Sequence, residues 1–230
     1  EEALIKIANA ILMCEPDNVF IITDSESDIE FVKQRSIETG EERRLAIENH
    51  TIHYDLPQDQ GRLVNQTFYI VNDNEKISSI AKKELRSDSH DYLSKNMRGI
   101  MRGLTMYISF LNRGPVGAVA SIPALTISSS TYVQTSGNLL YRNVYRSFDQ
   151  EVERCGTFFT NVHSQGENRP EDVEKARIYM DRSWQICYST FCTYAGNTLL
   201  LKKGNHRFAV DRATYFKKGQ ELSEHMFLTG

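Results

Sequence analysis

Three short segments toward the C-terminal end carry residues able to do chemistry. Tyr194-Ala195-Gly196-Asn197-Thr198 follows a β-rich run. Gly196 allows positive φ or a close backbone approach, and a turn of this kind presents N–H groups to an anion. The same five residues also suit an ordinary β-turn. Leu199-Leu200-Leu201-Lys202-Lys203 is an apolar strand ending in two lysines. Such lysines are either solvated, or bind phosphate, or ligate a metal as a neutral amine. The last role requires loss of a proton, which burial beside a cation favours. Glu224-His225-Met226-Phe227-Leu228 sets a histidine before an apolar run. As a neutral imidazole it is the commonest metal ligand; as a lone histidine it is also a common structural residue.

The elements that must position these segments follow from periodicity. Apolar spacing at Leu4, Ile7, Ile11 and Leu12 predicts a helix over 2–14, broken at Glu15-Pro16-Asp17. A strand is expected at 19–22, then a helix over 28–40 with Gly40 just past its end. Strands are expected at 68–71, 105–110, 124–127 and 131–134. Helices are expected over 77–97 and 138–148, a loop at 166–170, and a helix starting at Pro170. Residues 185–193 and 198–202 read as β-rich, and 208–218 as helical. This irregular alternation predicts a mixed α/β (α+β) fold.

Composition sets outer bounds. The 230 residues are 40% hydrophobic and 25% charged, enough for a sizeable core. Net charge is -3, with no basic block and no stripe of basic and aromatic residues, so nucleic acid is not an expected partner. No apolar run approaches the ~18 to 20 residues of a membrane span, so no membrane partner is expected either. The four cysteines, Cys14, Cys155, Cys187 and Cys192, form no CxxC pair. Buried, reduced thiols in a cytoplasmic protein are the expectation.

Each chemical segment is ambiguous alone; their order is not. Tyr-x-Gly-Asn-Thr-Leu-Leu-x-Lys-Lys over 194–203, followed by Glu224-His225-Met226, resembles the phosphoenolpyruvate carboxykinases. Thr105-Met106-Tyr107 with Gly114-Pro115-Val116-Gly117 is similar to that family's Arg-Thr-Met-Tyr and Gly-Pro-x-Gly stretches. Leu125-Thr126 with Tyr132-Val133, and Glu15-Pro16-Asp17 with Ile21 to Ser25, continue the likeness. Three positions depart from the pattern: Thr193 and Ala195 stand where the family has Gly, and Ala118 where it has Ser.

The resemblance implies an N-terminal substrate-binding domain at 1–183 and the truncated start of a C-terminal phosphate- and metal-binding domain at 184–230. It implies interconversion of oxaloacetate with phosphoenolpyruvate and CO2, using a phosphoryl donor and divalent metals. Lys203 and His225 would ligate a catalytic Mn2+, and Mg2+ would accompany the donor. Lys202 would meet the phosphoryl group. Tyr194, Gly196 and Asn197 would shape the substrate pocket, and a basic residue after the strand at 68–71, either Lys76 or Arg86, would bind substrate. The third metal ligand, an Asp, and the Gly-Lys-Thr phosphate loop are expected downstream, in the rest of the same polypeptide. The 230 residues alone are therefore expected not to turn over. The departures suggest the diphosphate-dependent branch, with the GTP-dependent branch as the alternative. A non-catalytic regulatory or interaction subunit of the family is a further one.

Overall fold

The computed structural model describes residues 1–54, 64–77, 81–118 and 121–192. Helix α1 spans Glu2–Cys14 and ends on Glu15 in the left-handed region. It buries Ile7, Ala10 and Cys14, whereas Leu4 and Leu12, part of the periodic apolar set, are exposed. Strand β1 (Asn18–Ile22) leads to α2 (Glu26–Glu38), whose first turn is capped by the Ser25 hydroxyl accepting from the Asp28 N–H. A small hairpin, β2 (Arg43–Arg44) and β3 (Thr51–Ile52), stands apart from the main sheet.

The chain then forms β4 (Thr67–Val71), β5 (Lys83–Leu85) and α3 (Arg86–Asn96). The expected helix over 77–97 therefore begins later, because Lys83 to Leu85 pair with Tyr69 to Val71 as a strand. Strand β6 (Thr105–Arg113) runs three residues beyond expectation and turns into β7 (Ile122–Ser128). Gly114 and Gly117 take φ of 91° and 84° in that turn, which side chains with a Cβ rarely tolerate. The Glu151 carboxylate accepts from the Gly117 N–H at 3.1 Å and pins it.

The expected strand at 131–134 is instead the start of helix α4 (Thr131–Leu140). Its β-branched residues suggested a strand, but tertiary contacts override them. The Ser130 hydroxyl caps the helix, and fully buried Gln134 donates to the carbonyls of Tyr107 and Thr126. The expected helix over 138–148 is also displaced. After α4 come β8 (Arg142–Asn143), a short 3-10 turn, and α5 (Phe148–Cys155). Three strands complete the described chain: β9 (Phe159–Ser164), β10 (Arg177–Asp181) and β11 (Ile186–Thr190). Pro170 opens a 3-10 segment, Pro170–Lys175, between β9 and β10.

Among the described residues one mixed sheet has the order β1-β6-β7-β9-β11-β10-β4-β5, with β8 beside β6. β7, β9 and β11 are mutually parallel. β10, β4 and β5 are also mutually parallel and run the opposite way, because β10 pairs antiparallel with β11. This is the mixed α/β fold expected from sequence. β11 lies between β9 and β10, so the sheet continues past residue 183.

Helices α1, α3 and α5 cover one face. Ile7, Cys14, Leu93, Met97 and Phe148 pack there on Ile108, Leu125, Ile127, Val162 and Tyr179. On the other face α2 and α4 lie against β1, β6 and β7, with Val32 on Ile22 and Tyr107. The four cysteines are buried thiols outside any disulfide, and burial pushes Cys14 and Cys187 up to about 12. No helix among the described residues is long and apolar enough to cross a membrane.

Candidate functional site

Strand direction sorts the candidate residues between the two ends of the sheet. The carboxyl ends of β7, β9 and β11 lie together at one end, where Ser128, His163 and Ser189 stand in one row across the strands. Beyond Thr190 the chain passes through Phe191 and Cys192 and enters the chemical segment foreseen at 194–203. Ligands of open sheets containing parallel strands gather at such carboxyl ends. Tyr194, Gly196, Asn197, Lys202, Lys203 and His225 lie outside the described residues.

The exit from β11 is tied down by hydrogen bonds. The Phe191 N–H donates to the Ser164 carbonyl at 2.8 Å. His163 is fully buried, with Nδ1 2.8 Å from the Ser128 hydroxyl and Nε2 2.8 Å from the Cys192 carbonyl. A carbonyl only accepts, so Nε2 carries the proton and Nδ1 accepts from Ser128. The Ser128 oxygen in turn accepts from the Ser130 N–H at 3.0 Å. The Ser129 and Ser164 hydroxyls meet at 2.9 Å.

The Glu41 carboxylate closes the same end from outside the sheet. It accepts from the N–H groups of Thr131 and Tyr132 at 3.1 and 3.3 Å, and from the hydroxyls of Ser130 and Thr131. A carboxylate here satisfies the free N–H groups of α4 and complements its dipole. Glu41→Ala should therefore cost about 2 kcal/mol, the upper range for a helix cap with a charge. Denaturant unfolding would check this; a loss below ~0.5 kcal/mol would show that the cap is dispensable.

Burial drives the His163 imidazole from its ordinary 6.5 down to about 4, against the smaller opposing pull of the Cys192 carbonyl and the Glu41 charge. The unfolded chain takes up a proton near pH 6.5, and the folded chain only near 4. Stability held above pH 6.5 is thus lost as pH falls toward 4, by about 3 kcal/mol from this residue. His163→Gln should flatten the pH dependence of unfolding free energy between pH 6.5 and 4. An unchanged slope would show that the residue titrates normally.

The two basic candidates stand at the opposite end of the sheet. Arg86 opens α3 directly after β5, and Asp181 ends β10 beside it. The Arg86 guanidinium donates to Asp181 through Nη1 at 2.5 Å and Nη2 at 3.0 Å, and through Nε to the Asn72 side chain at 2.9 Å. Lys76 is exposed in the loop after β4 and has no hydrogen bond or ion pair among the described residues. The length of β11, about 15 Å, separates this end from the one where Cys192 leaves the sheet. The arrangement gives Arg86 a fold-building role, whereas the Lys76 ammonium has no partner among the described residues.

Sequence reasoning missed His163, Ser128 and Glu41. Ser128-Ser129-Ser130 before Thr131 is a helix-start signal, and His163 follows the mixed stretch Phe159-Thr160-Asn161-Val162, but neither feature names a partner. A further polar row crosses the face carrying α4. Ser109 donates to Gln134 at 2.6 Å, while the buried side chains of Thr126 and Asn161 in the same row have no hydrogen-bond partner among the described residues. Among the described residues no three His, Cys, Asp or Glu side chains gather as a metal site.

The family model for the phosphoenolpyruvate carboxykinase N-terminal domain matches residues 6–214. The chain belongs to this family. Its relatives include the proteins named phosphoenolpyruvate carboxykinase (GTP) of Thermococcus kodakarensis and Pyrococcus horikoshii. Each is 37% identical over 226 residues, covering 96% of this chain and 36% of the relative. The protein of that name in Saccharolobus solfataricus is 37% identical over 228 residues, covering 99% and 36%. The chain thus spans about a third of the length of the curated relatives it matches. In this phosphoenolpyruvate carboxykinase N-terminal domain, Ser128, His163 and Thr190 stand at the sheet end from which the chain leads toward residues 194–203. The Gly114-Pro115-Val116-Gly117 motif is a hairpin turn at the far end of the sheet.

Proposed function

We propose that this chain supplies the substrate-binding part of a GTP-dependent phosphoenolpyruvate carboxykinase, acting together with the further two thirds that its relatives possess. The observation that carries this reading is 37% identity to relatives named for GTP, spread over nearly the whole chain. The departures at Thr193, Ala195 and Ala118 pointed instead to diphosphate. Those departures are compatible with close kinship to GTP-named relatives, so diphosphate gives way to GTP as the donor.

In this reading the substrate is oxaloacetate or phosphoenolpyruvate, with CO2 as the second carbon product. Lys203, as a neutral amine, and His225, as a neutral imidazole, hold Mn2+. Bound manganese supplies positive charge where an enolate oxygen develops. Lys202 neutralises the phosphoryl group in flight, chemistry that depends on positioning and charge. Tyr194 packs beside the substrate carboxylate, and Gly196 with Asn197 closes the pocket. Of the two basic residues expected to meet substrate, Lys76 has no ion pair among the described residues, whereas Arg86 would have to abandon Asp181. The chain continues from the strand ends described above into residues 194–203, within the span 6–214 that matches the N-terminal domain.

The test is a donor assay on the extended polypeptide. Oxaloacetate is offered with GTP, ATP or diphosphate, in Mg2+ and Mn2+, and phosphoenolpyruvate is measured. GTP should be the productive donor. Product with diphosphate alone would overturn the donor assignment, and product with none would favour a regulatory subunit.

A further inference from the structure

We infer that His163 is a positioning residue for the substrate segment: its imidazole fixes the Cys192 carbonyl and so sets the direction in which the chain leaves the sheet toward Tyr194. The inference rests on the proposed carboxykinase reading for its functional consequence, and on the observed hydrogen bonds for its geometry.

Two observations and one energetic argument support it. First, the imidazole bridges two strand ends far apart in sequence. Ser128 at the end of β7 and Cys192 beyond β11 are joined through the ring at 2.8 Å on either side. The same Ser128 oxygen receives the Ser130 N–H, and the Ser130 hydroxyl reaches the Glu41 carboxylate. One hydrogen-bonded chain thus runs from Glu41 through the start of α4 to the last described residue before the chemical segment.

Second, the exit is held at more than one point. Phe191 takes a φ of 54°, unusual for a side chain of its size. Its N–H is bonded to Ser164, and its ring packs closely on Gly166, where an added Cβ would sit 3.1 Å from the ring. A turn forced into this conformation has few alternatives once its next carbonyl is also fixed.

Third, packing alone does not call for a histidine here. A buried site needing only volume is filled more cheaply by an apolar side chain, because each buried polar group must find its partner. His163 finds both partners, and one of them is the backbone entering the segment assigned to substrate.

Variants separate the two ring nitrogens. Gln at 163 places a donor near the Nε2 position and keeps the Cys192 bond; Asn places its amide near Nδ1, keeps Ser128 and loses Cys192. Both give up one bond and some volume. Steady-state kinetics in the extended polypeptide read the difference. His163→Asn and His163→Leu should raise KM for oxaloacetate about tenfold or more, the scale of a small misplacement of a binding group. His163→Gln should stay within about twofold, as rescue by the residue that retains the Cys192 bond. Amide exchange over 193–203 should quicken in the Asn and Leu variants and hold in the Gln variant. Ser128→Ala, which leaves the imidazole in place but loosens it, is the milder companion should the Leu variant fail to fold, and it should show an intermediate KM. Equal KM in all variants, with only their melting temperatures lowered, would reduce His163 to a packing residue and overturn the inference. If wild type makes no phosphoenolpyruvate with any donor, the carboxykinase reading fails. The exchange pattern then judges the anchor alone, and unchanged exchange in the Asn variant would overturn it.

Discussion

Lys203→Met in the extended polypeptide should lower oxaloacetate turnover on the order of a thousandfold, the loss typical when one preorganised electrostatic group is removed from a reacting centre. Methionine keeps the length and apolar character of the stem and removes only the amine. If that amine ligates manganese, the variant loses a ligand, so metal affinity should fall together with kcat. Lys202→Met should behave differently, because an ammonium facing the phosphoryl group is not a ligand; it should reduce turnover and leave manganese affinity near wild type. Manganese titration alongside the kinetics separates the two lysines. Near-normal turnover in Lys203→Met would remove the residue from the mechanism.

The second large effect concerns the fold. Arg86→Met should destabilise the chain by about 3 kcal/mol, because it strands a buried carboxylate. Asp181 is 3% exposed, and the Arg86 guanidinium meets both of its oxygens. The N–H groups of Ser183 and Trp184, at 3.0 and 3.2 Å, would remain as its partners, which keeps the loss below the top of the range for broken buried pairs. Denaturant unfolding followed by circular dichroism reads the loss. Adding Asp181→Asn should recover part of the loss, since the charge left unpaired disappears. A loss below ~1 kcal/mol would show the pair to be no stronger than a surface one. In the extended polypeptide, KM for oxaloacetate should be unchanged in folded Arg86→Met. A large rise in KM would return Arg86 to the substrate.

These two residues also show how far the sequence could be read. The Lys203 assignment rests on a local pattern, because the Gly-Asn-Thr segment, the apolar run and the lysine pair are contiguous in sequence; the residue lies outside the described residues. The role of Arg86 was not legible, because its partner is 95 residues away, and a basic residue near a strand looks the same whether it meets a ligand or a buried aspartate. The same contrast runs through the fold. α1 was legible from periodicity, but the face it buries was not, since Leu4 and Leu12 point to solvent while Ala10 and Cys14 pack inside. α4 was read as a strand because Thr131, Tyr132 and Val133 favour one, and what makes it a helix is a carboxylate contributed from Glu41. β9 escaped prediction because its Thr160, Asn161, His163 and Ser164 are polar and wholly buried, contrary to the usual alternation of a half-covered strand. Those buried polar residues are also the ones that border the candidate site.

The most direct test of the account is where manganese binds. A crystal structure of the extended polypeptide with Mn2+, located by its anomalous signal, should place the ion within about 2.3 Å of both Lys203 Nζ and His225 Nε2. It should also show the Tyr194 segment leaving the sheet beside His163 and Ser164. Lys203 and His225 ordered but more than ~10 Å apart, or an ion held by other residues, would contradict the assignment, because two nitrogens so separated cannot share one metal.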